Sequence, residues 1–248
     1  ESHKWLMLAA KQNYAQAQYL LYYCYKDGMA VVKEEKEALR WLTKAVDSKH
    51  PEAMFDLSLH YEHGTLGVSR DLNKTWALQQ ESANLGYARA EFYLGYVYYY
   101  GDEGFYIKPD KAKGLEWIRK AAHNNLNYAQ VELAAILLED DNLQENNQEA
   151  LDWLKKAGDY HAAQRTLGIY YERGIGVPVD LKQAVIHYQK AAEQEDAQAQ
   201  YNLALIYLAN EELFGQQTAK AKQLIQAAAD QGLPAAQKFL TTLKAFKN

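Results

Sequence analysis

The sequence predicts an all-α chain, an α/α superhelical solenoid of about six to seven helical hairpins. Three observations predict it. A short apolar segment closing on Gly or Asn recurs along the chain, and a second segment built on Trp and Ala alternates with it. Gly, Pro and Asp fall where helices of that length would start and stop.

The first segment, here the A helix, appears as AQYLLYYCYKDG (17–28), AMFDLSLHYEHG (53–64), AEFYLGYVYYYG (90–101), AQRTLGIYYERG (163–174) and AQYNLALIYLAN (199–210), with weaker copies starting at Val131 and Ala236. Successive starts are 36, 37, 41, 32, 36 and 37 residues apart, the length of a helical hairpin. Each strong copy carries an Ala anchor, a Leu four positions on (Leu21, Leu57, Leu94, Leu167, Leu203) and a Tyr eight positions on (Tyr25, Tyr61, Tyr98, Tyr171, Tyr207). At 3.6 residues per turn these share one face. Gly28, Gly64, Gly101 and Gly174 stand eleven positions on, where a chain leaving a helix turns left-handed, and Asn142 and Asn210 take that place elsewhere. Pro51 and Pro234 precede their anchors by two, as first-turn prolines that lose no hydrogen bond.

The second segment, the B helix, reads ALRWLTKA from Ala38, GLEWIRKA from Gly114, ALDWLKKA from Ala150, AVIHYQKA from Ala184 and AKQLIQAA from Ala221, with TWALQQES from Thr75 as a weaker copy. Trp5, Trp41, Leu78, Trp117, Trp153, His187 and Leu224 hold its large position, and a small residue four later lets a neighbouring helix approach. Asp71, Asp110, Asn146 and Asp180 stand four before the first B anchor and are expected as N-caps, each worth about 1 kcal/mol. SHKWLMLA from Ser2 also fits a B helix, so the chain is expected to begin halfway through a hairpin, as a fragment or after a removed upstream helix. The expected organisation is one repeat domain over 1–248: a half repeat at 1–13, repeats starting near 14, 50, 87, 127, 160 and 196, and a terminal helix at 233–248.

A small residue, Leu-Gly, Tyr and Gly, followed by Gly-Val, Asp, Lys-Ala, a Trp or Tyr and Lys-Ala-Ala, resembles the Sel1-like repeat, a relative of the tetratricopeptide repeat. The fullest copy is AQRTLGIYYERGIGVPVDLKQAVIHYQKAA at 163–192, and the resemblance runs from Trp5 to the final helix. Two copies depart from it. The copy from Val131 puts Ile136, Glu139 and Asn142 in place of Gly, Tyr and Gly, where a local bend is expected, and the last copy is short enough to be an end cap. One cysteine per chain is unlike the secreted branch with paired cysteines. The resemblance implies a superhelix with A helices inside and B helices outside. It also implies adaptor roles: assembling membrane complexes, bacterial envelope machinery, or host and regulatory interactions.

A hairpin cannot cover its own apolar face, so such arrays are stabilised by neighbour packing and leave a long groove. If tetratricopeptide geometry carries over, positions two, six, nine and ten after each A anchor line that groove. The candidate partner-binding residues are then Tyr19, Tyr23, Phe55, Phe92, Tyr96, Tyr99, Tyr100, Arg165 and Arg173, centred on Tyr96, Tyr99 and Tyr100. Tyr and Arg bury large areas while keeping a polar tip. The competing reading is structural: aromatics two after the anchor, such as Tyr19, Phe55, Phe92 and Tyr201, also serve packing. Tyr99 and Tyr100 are expected off the core stripe.

The remaining composition excludes other classes. A formal net charge of −5 over 248 residues argues against nucleic acid or anionic membranes, which need clustered Lys and Arg. No apolar run approaches the ~20 residues of a membrane span. The single Cys24 rules out an intrachain disulfide and is expected as a buried, inert thiol. No HExxH, Walker A loop, GxSxG or SxxK is present. His60 and His63 have no third ligand in view, and the acidic run 139–149 lacks the spacing and Gly of a calcium loop, so neither metal nor cofactor is expected. Trp76, off the repeat register, is either a surface anchor or a cover for the preceding hairpin.

The reading is a non-catalytic adaptor that holds a protein or peptide in its groove as a monomer, soluble in periplasm or cytoplasm. The alternatives are a cell-wall enzyme or small-ligand binder, and a toxin-neutralising or effector protein with one cognate partner.

Overall fold

The computed structural model describes residues 2–139 and 144–245. Among them every regular element is helical. A helices are α2 (Ala15–Asp27), α4 (Pro51–His63), α6 (Ala88–Tyr100), α8 (Asn127–Glu139), α10 (His161–Arg173), α12 (Ala197–Ala209) and α15 (Pro234–Ala245). B helices are α1 (Ser2–Lys11), α3 (Glu35–Asp47), α5 (Leu72–Asn84), α7 (Lys111–His123), α9 (Gln144–Lys156), α11 (Leu181–Glu193) and α14 (Thr218–Asp230), and a short α13 (Glu211–Phe214) precedes the last of these. Each A helix from α2 to α12 packs on the B helix that follows it, and α15 packs on α14 before it, giving the all-α repeat array the sequence predicts. The chain divides into two compact units, Glu1–Leu126 and Asn127–Asn248.

The core of each unit is the stripe read from the sequence. Leu21, Leu57 and Leu94 in the first unit and Leu167 and Leu203 in the second are buried, each contributing about 1.5–3 kcal/mol. The Ala anchors Ala17, Ala53, Ala90, Ala163 and Ala199 are buried with them. B helices close on this stripe through Ala38, Ala45 and Ala121 in the first unit and Ala184, Ala191, Ala221 and Ala228 in the second. Where the approach is closest, even Ala is too large. A Cβ on Gly95 would lie 2.6 Å from Ile118, and one on Gly168 would lie 2.6 Å from the Tyr188 ring. In three copies the Tyr eight after the anchor, half-buried at Tyr61 and Tyr98 and buried at Tyr207, receives a lysine from the next B helix: Lys74 over Tyr61 at 4.8 Å, Lys113 over Tyr98 at 3.9 Å and Lys220 over Tyr207 at 5.5 Å.

Most ends follow the expected chemistry. Asp71, Asp110 and Asp180 accept from the free amides of Lys74, Lys113 and Lys182 with Gln183. Pro51 opens α4 and Pro234 opens α15. Gly28, Gly64 and Gly174 close their helices in the left-handed region.

Four expectations about ends and register are corrected. Asn146 lies inside α9, whose first residue is Gln144, and so is not its cap. Gly101 has positive φ but an extended ψ of 164°, because it leads into the paired Asp102 and Ile107 rather than closing a turn. Asn210, at φ −129°, is not left-handed and instead starts α13. The anchor of the fourth copy is Ala129, not Val131: Ala129 and Leu133 are fully buried, while Val131 is only half-buried. Asn142 and part of the acidic run, 140–143, lie outside the described residues.

Candidate functional site

On the A-helix face, the residue two after one anchor meets the residue that caps the next A helix, three before its anchor. In the first unit Tyr19 lies 4.7 Å, ring to ring, from His50, the cap of α4, and Phe55 lies 5.5 Å from Tyr87, the cap of α6. In the second unit the same register pairs Arg165 with Asp196, the cap of α12, whose other oxygen accepts from Ala199 N–H at 2.9 Å. His161 Nδ1 adds a contact to the same carboxylate at 2.8 Å.

Tyr19 and Tyr23, one turn apart on α2, both donate their hydroxyls to Asp56 Oδ2 at 2.8 Å. Beside them Tyr22 pairs with His60 Nε2 at 2.9 Å, and His60 Nδ1 pairs with Thr65 Oγ1 at 2.7 Å. Burial is the main reason the Tyr19 hydroxyl is pushed far above the usual phenol range, with the Tyr23 bond and the Asp56 charge adding to it. Burial likewise holds His50 and His60 below the ordinary imidazole value. The groups in this cluster satisfy one another, so Tyr19 and Tyr23 tie α2 to α4 as well as lining the face.

Further along, Phe92, Tyr96 and Tyr100 form a ladder at helical spacing on α6, with ring centroids 6.2 Å and 4.6 Å apart. Tyr96 is 50% exposed and Tyr100 is 44% exposed. The expectation that Tyr99 lies off the core stripe is corrected: it is 6% exposed. The cause is Gly114, which stands where α3, α9, α11 and α14 carry Ala and α5 carries Thr75. A Cβ there would lie 2.5 Å from Tyr99 N, so glycine lets α7 settle directly onto this turn of α6 and cover the ring. Phe55 is buried too, at 5% exposure, under the Arg89 guanidinium, 5.4 Å from its ring. Arg173 is exposed at the end of α10, and Arg165 is half-buried against Asp196.

Sequence reasoning missed Asp56, Asp196 and Tyr106. Tyr106 sits in the loop 101–110, where the spacing from Ala90 to the corrected anchor Ala129, 39 residues, exceeds the 36 or 37 between neighbouring copies on the N-terminal side. Asp102 and Ile107 exchange two backbone hydrogen bonds of 2.9 Å, Asp102 Oδ1 accepts from Phe105 N–H, and Tyr106 stands 94% exposed at the tip. Tyr100, Glu103, Tyr106 and Lys108 border an open cavity of about 770 Å³. Trp76 covers its own neighbourhood, packing at 5.6 Å on Tyr98 and 5.2 Å on Phe105. Cys24 is half-buried, and burial pushes its thiol up.

Among the described residues no group of three or more His, Cys, Asp or Glu could hold a metal ion, and no helix is long and apolar enough to cross a membrane. The arrangement supplies stacking, hydrogen-bonding and charged groups on a face built from rigid helices.

The Sel1 repeat family model matches residues 15–50, 51–87, 88–126, 127–159, 161–196 and 197–233. Chitin synthase regulatory factor 3 of Schizosaccharomyces pombe is 32% identical over 195 residues, which cover 75% of this chain and 21% of that protein. Chitin synthase regulator SKT5 of Saccharomyces cerevisiae is 30% identical over 239 residues, covering 77% and 34%. The chain therefore spans only about a fifth to a third of the length of these relatives. A solved Sel1 repeat protein from Oxalobacter formigenes superposes with a TM-score of 0.75 at 28% identity, covering 88% of each chain. With six matched repeats between residues 15 and 233, the chain belongs to the Sel1 repeat family and is a protein-interaction module.

Proposed function

We propose that this protein acts without chemistry of its own, holding a protein or peptide partner on the A-helix face of its first unit through Phe92, Tyr96 and Tyr100. The observation that carries this reading is the exposure of the ladder: Tyr96 and Tyr100 keep 50% and 44% of their surface in solvent, whereas Tyr99 beside them keeps 6%. Large, stiff side chains with a polar tip dominate binding free energy when a partner desolvates them. Tyr19 and Tyr23 extend the wall of that surface, Phe55 supports it from beneath Arg89, and Tyr99 supports Tyr100 from below at 4.9 Å. Arg165 and Arg173 offer a separate charged contact on the second unit.

Relatives named for regulating chitin synthase favour a partner that is itself an enzyme or part of an enzyme assembly, recruited or regulated through the repeat. Quantitative affinity capture with wild type and the Tyr96→Ala, Tyr100→Ala double variant tests the reading. A common set of proteins lost from the variant is the expected result, and identical recoveries overturn it.

A further inference from the structure

Elsewhere on this chain, aromatic faces at helix edges are covered by the chain's own cations. Lys26 lies 4.6 Å over Tyr23, Lys44 lies 4.7 Å over Trp41, and Lys120 lies 3.8 Å over Trp117. The loop after α6 presents one ring, Tyr106, and the Glu103 carboxylate to solvent. Tyr106 is 94% exposed, and Glu103 rises from the same turn, in which the Glu103 carbonyl accepts from the Tyr106 N–H at 3.2 Å. The Asp102 and Ile107 pairing holds this turn, with Tyr106 at φ +54°, so little order must be gained on binding. The cavity is lined by two carboxylates, Asp102 and Glu103, against one cation, Lys108, while Lys111 and Lys113 are engaged over Tyr99 and Tyr98 at 5.2 Å and 3.9 Å.

We propose that the cavity between Tyr100 and Tyr106 takes an arginine or lysine side chain from an extended, basic segment of the partner, with its backbone lying along the Tyr96 and Tyr100 rings. The cation gains the faces of two tyrosines and the Glu103 carboxylate together, the chemistry by which rings and acids select positive charge. This deepens the reading that the α6 ladder is the partner surface, and rests on it.

A random peptide library displayed on phage and panned against the full chain tests both. Enriched peptides should carry Arg or Lys. A synthetic copy should bind, by fluorescence anisotropy, about tenfold more weakly when its cation is replaced by citrulline or norleucine, or when the protein carries Glu103→Gln or Tyr106→Ala. Tyr106→Phe, which keeps the ring, should retain binding. Peptides that depend on Tyr96 and Tyr100 but not on a cation overturn this inference and leave the ladder as the partner surface. Peptides indifferent to Tyr96→Ala and Tyr100→Ala, or no enrichment at all, overturn both.

Discussion

At the second position after the A-helix anchor, where the first unit also carries Phe92 and the second unit also carries Tyr201, three residues can be compared: Tyr19 and Phe55 in the first unit and Arg165 in the second. All three reach for the cap of the next A helix: ring on ring at His50 and Tyr87, guanidinium on carboxylate at Asp196. The geometry is conserved between the units while the chemistry is exchanged. The hairpin scaffold needs something at this register to bridge successive A helices, but burial of a ring and pairing of charges serve equally. That tolerance leaves the A-helix face open to vary, and the tyrosines gather on the first unit's share of it.

If the scaffold is common to both units, then core truncations should hurt each alike. Leu94→Ala in α6 and Leu203→Ala in α12 should each cost about 2–5 kcal/mol, read from urea midpoints by tyrosine and tryptophan fluorescence. Tyr99→Ala should fall in the same class, at about 3 kcal/mol, since its ring is covered by α7. A Tyr99→Ala variant as stable as wild type would return that residue to the open face.

The second comparison removes the bridge itself. Asp196→Ala strips a carboxylate of 3% side-chain exposure from Arg165, His161 and the capped Ala199 amide, and should cost about 2–3 kcal/mol. Asp56→Ala leaves Tyr19 and Tyr23 still able to bond each other at 3.1 Å, and should cost about 1 kcal/mol. Equal losses would show that the two bridges are energetically the same despite their different chemistry.

How far the sequence discloses this molecule depends on the range of the interaction. Local rules carry the Leu stripe and the caps at Asp71, Asp110 and Asp180, because each is set within about one helical turn, and the period is read from their recurrence. The fourth copy misleads because Ala129 and Val131 stand two residues apart and either can open the pattern: Val131 looks like an anchor until the burial of Ala129 and Leu133 places the stripe two residues earlier. Tyr99 is misplaced for a reason outside its own helix, since its cover comes from Gly114, whose missing side chain is visible in the sequence but whose effect on α6 requires the packed pair. The Arg165 to Asp196 bridge spans 31 residues, and no local pattern announces it. The insertion that carries Tyr106 is legible as spacing, but not as a rigid turn with an exposed ring.

Protonation separates the units more gently. Burial holds His50 and His60 in the first unit, and His187 in the second, below the ordinary imidazole value. The folded chain therefore keeps them neutral where the unfolded chain takes up protons. The stability they contribute is present above about pH 6.5 and is lost as pH falls through that value toward their folded pKa values. The urea midpoint should drop between about pH 7.5 and about pH 5.5, and His60→Gln should flatten part of that slope. A midpoint insensitive to pH in this window would show that these rings are already solvated.

The smallest expected change in stability tests the face most sharply. Tyr96 and Tyr100 contact each other and solvent more than core, so Tyr96→Ala and Tyr100→Ala should each stay within about 0.5 kcal/mol of wild type. Their neighbour Tyr99, one residue from Tyr100, should differ by several-fold in the same assay. That contrast between adjacent tyrosines follows from one glycine on α7: Gly114→Ala should push α7 away from α6 and destabilise the first unit, because its new Cβ meets backbone that cannot rotate aside. If Tyr100→Ala proved as costly as Tyr99→Ala, the ladder would be part of the fold's support, and its exposure would no longer argue for a partner.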